Sequence, residues 1–165
     1  MQISKLLRIF VILALILANY ICDQVTKSMA RKQIPDNERI EVIGEHLVLT
    51  KAENTGMILG SGSNLNPTAK LILVNALPAI MLLCLFFFTL FQTKLNHTMV
   101  LGLTFIIGGG FGNIIDRIHY GSVTDFLHID FGIVRTGIFN LADVSIMVGA
   151  ILIMLMAIFQ KNITI

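Results

Sequence analysis

Two short stretches of the chain join a long uncharged run to a carboxylate: Gly108-Gly-Gly-Phe-Gly-Asn-Ile-Ile-Asp-Arg117 and Phe139-Asn-Leu-Ala-Asp143. In each, an asparagine stands three positions before the acid, Asn113 before Asp116 and Asn140 before Asp143. That spacing puts amide and acid on one face of a helix. With Asp125 and Asp130 between them, these acids are expected to gather at one mouth of the molecule. Two carboxylates sharing a partly dry site cannot both ionise. One keeps a proton and polarises a carbonyl while the other takes a proton from water, which is the chemistry of hydrolysis by paired aspartates. Asp143 lies deepest in an apolar run and is the first choice for such a pair. Asp116 and Asp125 compete to be its partner. Arg117 directly follows Asp116, and a neighbouring guanidinium favours the ionised form, which suits a structural ion pair. Asp125, flanked by Val123 and Phe126 with no adjacent base, fits the proton-sharing role better, with Asp116 the rival. A plainer reading makes these acids helix caps, since Asp143 falls in a first turn where negative charge is favoured. Several acids and two Asn-x-x-Asp units at one apolar mouth weigh against it, because ionisable groups at membrane depth are costly.

Other chemistries find little footing. His46, His97, His119 and His128 show no H-E-x-x-H spacing, so no metal site is expected. No serine or cysteine has an evident base partner. The net charge of +2 comes without a basic cluster, so no nucleic-acid partner is expected. Cys22 and Cys84 form no disulfide framework and are expected to be packing residues.

The elements that must position the acids are membrane helices. The 165 residues are 55% hydrophobic and 13% charged, against about a quarter charged in a soluble domain. Residues 9–22, 71–93, 95–115 and 144–160 contain no Asp, Glu, Lys or Arg. They predict spans at about 6–22, 69–91, 98–116 and 139–160 of a single membrane domain. Lys5 and Arg8 before the first apolar run also suit a signal peptide, but Tyr20 and Ile21 are bulky where cleavage needs small residues. Both termini then share one side with Lys94, and segments of about 23–68 and 117–138 lie on the other. Counting Lys and Arg favours the second side as cytoplasmic, whereas the Lys5/Arg8 flank of the first span favours the first and is the more decisive signal.

Asp23 and Lys27 have the i,i+4 spacing of a surface ion pair at a helix end. Pro35-Asp36-Asn37 signals a turn, and 39–43 and 46–51, separated by Gly44-Glu45, read as a strand pair lying against the membrane surface. Asn54-Thr-Gly56 precedes a flexible loop over 60–67. Asn75 and Pro78 are expected to face neighbouring helices. Gly108 and Gly112 form a G-x-x-x-G that permits close helix approach, and 121–134 suggests a second short hairpin.

Asp23-Gln-Val-Thr-Lys27, Asn54-Thr-Gly56, Gly112-Asn-Ile-Ile-Asp-Arg117, Val123-Thr-Asp-Phe126 and Phe139-Asn-Leu-Ala-Asp143 stand in an order and spacing that resembles the bacterial lipoprotein signal peptidase (signal peptidase II) family. The resemblance spans nearly the whole chain. It implies an α-helical membrane protein with four transmembrane helices and a small extracytoplasmic β-rich platform. It further implies a multi-pass protein of the bacterial cytoplasmic (inner) membrane, both termini cytoplasmic and the active site near the extracytoplasmic face. Asp125 and Asp143 are implied as the catalytic dyad, with Asp23, Lys27, Asn54, Gly56, Asn113, Asp116, Arg117 and Asn140 lining or bracing the site. The implied activity is removal of the signal peptide from prolipoproteins, just before a diacylglyceryl-modified cysteine, with membrane lipid as the other partner, no metal or cofactor, and a monomer expected. Met57-Ile-Leu59 departs from the family's small-then-aromatic pattern and puts the shape of the substrate-facing loop in question. The competing class is a transporter subunit in which the same acids relay protons or bind cations.

Overall fold

The computed structural model describes residues 5–36, 38–57 and 61–161. It has four helices long and apolar enough to cross a membrane: α1 (Lys5–Gln33), α2 (Pro67–Phe91), α3 (His97–Tyr120) and α4 (Leu141–Lys161). A three-stranded antiparallel sheet, β1 (Ile40–Ile43), β2 (Leu47–Asn54) and β3 (Val123–Ile129) in that order, sits where α1 and α3 end and α2 and α4 begin. Asn37, Ile58, Leu59 and Gly60 of the expected turn and loop lie outside the described residues.

The first helix does not stop near residue 22. It runs on to Gln33 because Asp23, Lys27 and Ala30 continue the inward stripe begun by Ile12 and Ile16, and all five are buried. The charges that looked like a helix end are an inward face. Ala30 and, just beyond the helix, Ile34 pack on Phe126 of β3, so the last turns of α1 back the sheet. α3 likewise continues to Tyr120 and is closed by Gly121 at φ 76, whose N–H bonds the Arg117 carbonyl.

α3 is the central helix, packed against α1, α2 and α4. Its glycines face different neighbours. A Cβ at Gly108 would stand 2.6 Å from the Cβ of Asn19 on α1, one at Gly110 2.5 Å from Leu82 on α2, and one at Gly109 would overlap the Ala142 carbonyl of α4. The G-x-x-x-G therefore serves the α1 contact, and the two glycines between serve the others. Ile12, Ile16, Leu103 and Ile107 form the core of the α1–α3 contact. In α2, residues Leu71–Ala76 form a wider π turn, with the Leu77 N–H on the Ile72 carbonyl, directly before Pro78. The backbone thus shifts register within the helix at the proline, where help from neighbouring helices was expected. The Arg8 guanidinium caps the other end of α2, donating to the carbonyls of Thr89, Leu90 and Gln92 at 2.9–3.0 Å.

Cys22 and Cys84 are free and exposed on the outward helix faces. The expected second hairpin forms only in part. β3 pairs with β2, and the returning segment touches it through isolated bridges, Asp130 with Arg135 and Leu127 with Phe139. All of β1 is exposed on the protein.

Candidate active site

Each polar group at the mouth is delivered by a different element. β3 carries Asp125, the first turn of α4 carries Asp143, the end of β2 carries Asn54, α3 carries Asn113, Asp116 and Arg117, and α1 carries Asp23 and Lys27. Asn140 closes α4 as a capping box. Its Oδ1 accepts the Asp143 N–H at 3.0 Å, while Asp143 Oδ2 accepts the Asn140 N–H at 3.2 Å. The helix-cap reading of Asp143 is therefore correct as far as it goes, but the residue's other oxygen does something else: Asp143 Oδ1 accepts Asn113 Nδ2 at 2.9 Å.

With its Oδ1 held by the helix backbone, Asn140 must present its Nδ2 outward. That nitrogen donates to Asp125 Oδ1 at 2.6 Å and to Asn113 Oδ1 at 3.2 Å. Asn54 is oriented in the same manner, its Oδ1 taking the Gly56 N–H at 3.0 Å and its Nδ2 reaching Asp125 Oδ2 at 3.1 Å. Every oxygen of Asp125 and Asp143 thus accepts an amide donor, and Asn140 bonds to both acids. Asp125 is only 4% exposed, and Asp143 is half-buried. Burial above all pushes the Asp125 carboxyl up to about 6. The Asn54 hydrogen bond opposes this, the Asp143 charge adds to it, and the Asn140 hydrogen bond and Lys27 charge again oppose.

Behind this pair lies an ion cluster. Lys27 is fully buried, with Nζ 2.7 Å from Asp23, 3.0 Å from Asp116 and donating to Asn113 Oδ1 at 2.9 Å. An ammonium has only donors, so it fixes which end of the Asn113 amide faces Asp143. Asp23 also accepts the Ala142 N–H of α4 at 2.9 Å, and a Cβ at Gly112 would overlap its carboxylate. Gln24 joins Asp23 and Asp116 at 3.2 and 3.1 Å.

Three expectations need correction. Asp23 and Lys27 are not a surface pair, both being 0% exposed. Arg117 does not pair with its neighbour Asp116, because successive helical residues diverge by about 100°. Its Nη2 instead binds the Gly56 carbonyl at 2.8 Å, tying the loop after β2 to α3, while Asp116 belongs to Lys27 and Arg31. Asp130 does not join the cluster and pairs with Arg135 beyond the end of β3. Gln24, Arg31, Glu53, Ser122 and Thr124 went unnoticed as candidates. Only Arg31 had a readable signal, the continuation of the Asp23–Lys27 spacing by one more turn.

A bundle of apolar helices that holds paired carboxylates between a strand and a helix N-terminus defines a class: membrane-embedded aspartic peptidases. The chain belongs to the signal peptidase (SPase) II family, peptidase family A8, whose model matches residues 15–159. It is similar to the lipoprotein signal peptidase of Borrelia turicatae (strain 91E135), at 32% identity over 96% of this chain and 94% of that protein. That of Chlorobium phaeobacteroides (strain BS1) is 36% identical over 79% of this chain and 84% of its own length. A bacterial membrane enzyme solved by the in meso method at 2.3 Å resolution shares the fold with a TM-score of 0.82 at 27% identity, covering 94% of this chain and 92% of that one.

Proposed function

We propose that the chain is an endopeptidase of the bacterial cytoplasmic membrane that removes signal peptides from prolipoproteins, cleaving before a diacylglyceryl-modified cysteine, with Asp125 and Asp143 as the catalytic dyad. The observation that carries this reading is the Asn140 side chain and backbone, which bond to both acids and hold them at one mouth of the bundle. Asp125, the more deeply buried, holds the shared proton and donates it toward the scissile carbonyl, and Asp143 takes a proton from the attacking water. The substrate's acyl chains stay in the bilayer while its peptide bond meets the acids at the helix ends, so the lipid need not be extracted. With both termini cytoplasmic, the sheet lies on the extracytoplasmic side. This orientation rests on the Lys5/Arg8 flank of the first span, the signal that usually dominates, against a Lys and Arg count that favours the other side.

The test compares a lipidated propeptide with the same peptide carrying an unmodified cysteine, incubated with the purified protein in lipid, by mass spectrometry. Cleavage of the lipidated peptide alone, at the bond before the cysteine, is expected. Equal cleavage of both would remove the lipid from the recognition, and cleavage of neither would return the transporter reading.

A pH dependence follows from Asp125. Its catalytic form is the protonated one, and its carboxyl stands near 6, facing Asp143 of α4, Lys27 of α1 and Arg117 of α3. A raised carboxyl keeps its proton below that value and loses it above. The kcat/KM, which reports the free enzyme, is therefore expected to fall as pH rises through about 6. Bound substrate excludes water and moves the corresponding limb of kcat upward. A kcat/KM flat from about pH 5 to 8 would remove Asp125 as the proton holder.

A further inference from the structure

Strand alternation places Asn54, Val123 and Asp125 on one face of the sheet and Glu53, Ser122 and Thr124 on the other. The second face is covered by the end of α1, and there one guanidinium meets several partners. Arg31 Nε donates to Thr124 Oγ1 at 2.8 Å, its Nη2 lies 3.2 Å from Asp116 Oδ2, and its Cζ stands 3.9 Å from the centre of the Tyr120 ring. The Thr124 hydroxyl donates onward to Glu53 at 2.7 Å, and Ser122 donates to the same carboxylate at 2.5 Å. Asp116 and Tyr120 belong to α3 and Thr124 to β3, so Arg31 spans the corner at Gly121 where one becomes the other.

We propose that Arg31 is a positioning residue for hydrolysis, bracing the α3–β3 corner from behind so that Asp125 is held at the right depth opposite Asp143. The proposal rests on the reading of Asp125 and Asp143 as the dyad. Its physical ground is that the strand ladder is interrupted next to this point. The register of β2 against β3 shifts between Leu49 and Ala52, and Ala52 is the residue opposite Asp125. On the other edge, the hydrogen bonds to the Phe139 carbonyl begin only at Phe126. Asp125 is thus the last paired residue before the bulge, and Thr124, fully buried beside it, is bonded by Arg31. A lysine keeps the charge but lacks the planar fork that serves Thr124 and Asp116 together and the flat face that stacks on Tyr120.

The experiment measures kcat, KM and thermal unfolding for Arg31→Lys, Thr124→Val and the double variant on a lipidated propeptide, with Asp125→Asn alongside. Thr124→Val preserves shape and leaves the Arg31–Asp116 pair intact, so it keeps the test valid if the arginine variant folds poorly. Each single variant is expected to lose kcat by about ten- to a hundredfold, as displacements of an ångström or less do, with KM within about twofold. The double variant is expected to be little worse than either single one, because both break the same contact. An inactive Asp125→Asn beside variants of unchanged kcat overturns the role of Arg31 alone. Variants that unfold earlier with kcat intact do the same, by making the residue merely structural. An Asp125→Asn that keeps wild-type turnover overturns the dyad and this proposal with it.

Discussion

Asp125→Asn and Asp143→Asn are each expected to lose turnover by on the order of 10⁴-fold, the upper range of what a general acid or base contributes. The protein should still fold and bind a lipidated propeptide. The substitution is isosteric but not silent, because every oxygen of the two acids accepts an amide N–H. An Asn at either position must turn its own NH₂ toward one of those donors. The Asn54 and Asn140 amides cannot rotate to accommodate it, since the Gly56 and Asp143 N–H groups hold their oxygens. A loss of about 1–3 kcal/mol in stability is therefore expected with the loss of activity, the usual penalty for a mispaired buried polar group. Kinetics and thermal unfolding measured on the same preparation separate the two effects. Asp116→Asn is the informative comparison, because that acid lies in the ion cluster and not beside Asp143. It should cost stability and leave turnover well above that of the dyad variants. If Asp116→Asn were the inactive enzyme and Asp125→Asn the active one, the assignment of the pair would be reversed.

The helices were legible because an apolar run of membrane length has few other uses, and the paired acids because charge is scarce in such runs. What could not be read is where inward faces continue past the apolar runs. Asp23, Lys27 and Ala30 carry α1 to Gln33 as a polar inward stripe, and composition alone makes that stretch look like a loop. The partner of Asp116 was misread for a related reason: adjacency in sequence means divergence on a helix, and Lys27 arrives from another helix altogether. The pairing of β3 with β2 depends on contacts far apart in the chain, which local alternation cannot report. The two Asn-x-x-Asp units look identical in sequence yet work differently. Asn140 and Asp143 cap a helix and Asn140 also bonds Asp125, whereas Asn113 and Asp116 sit inside α3 and share Lys27.

Lys27 touches neither dyad carboxylate through any hydrogen bond described above, yet Lys27→Met is expected to impair both stability and turnover. Its ammonium is fully buried and stands against buried carboxylates of two helices, so removing it leaves Asp23 and Asp116 without their central countercharge. Breaking a buried ion pair from one side costs about 3–5 kcal/mol. The lower end applies here, because Asp116 retains Arg31 and Gln24 while Asp23 retains the Ala142 N–H. A loss of about 3 kcal/mol corresponds to a fall in unfolding temperature of roughly 6–12 °C for a chain of this size. Combining Lys27→Met with Asp23→Asn removes one of the stranded charges and should recover part of the loss. Turnover should not recover with it, because the ammonium also dictates the Asn113 amide. Without Lys27 only the longer bond from Asn140 Nδ2 holds that oxygen, so the side chain turns it more readily toward Asp143, replacing a donor with a repelling acceptor. A double variant restored in unfolding temperature but still slow in kcat would separate the two roles. One restored in both would show that the cluster contributes stability alone.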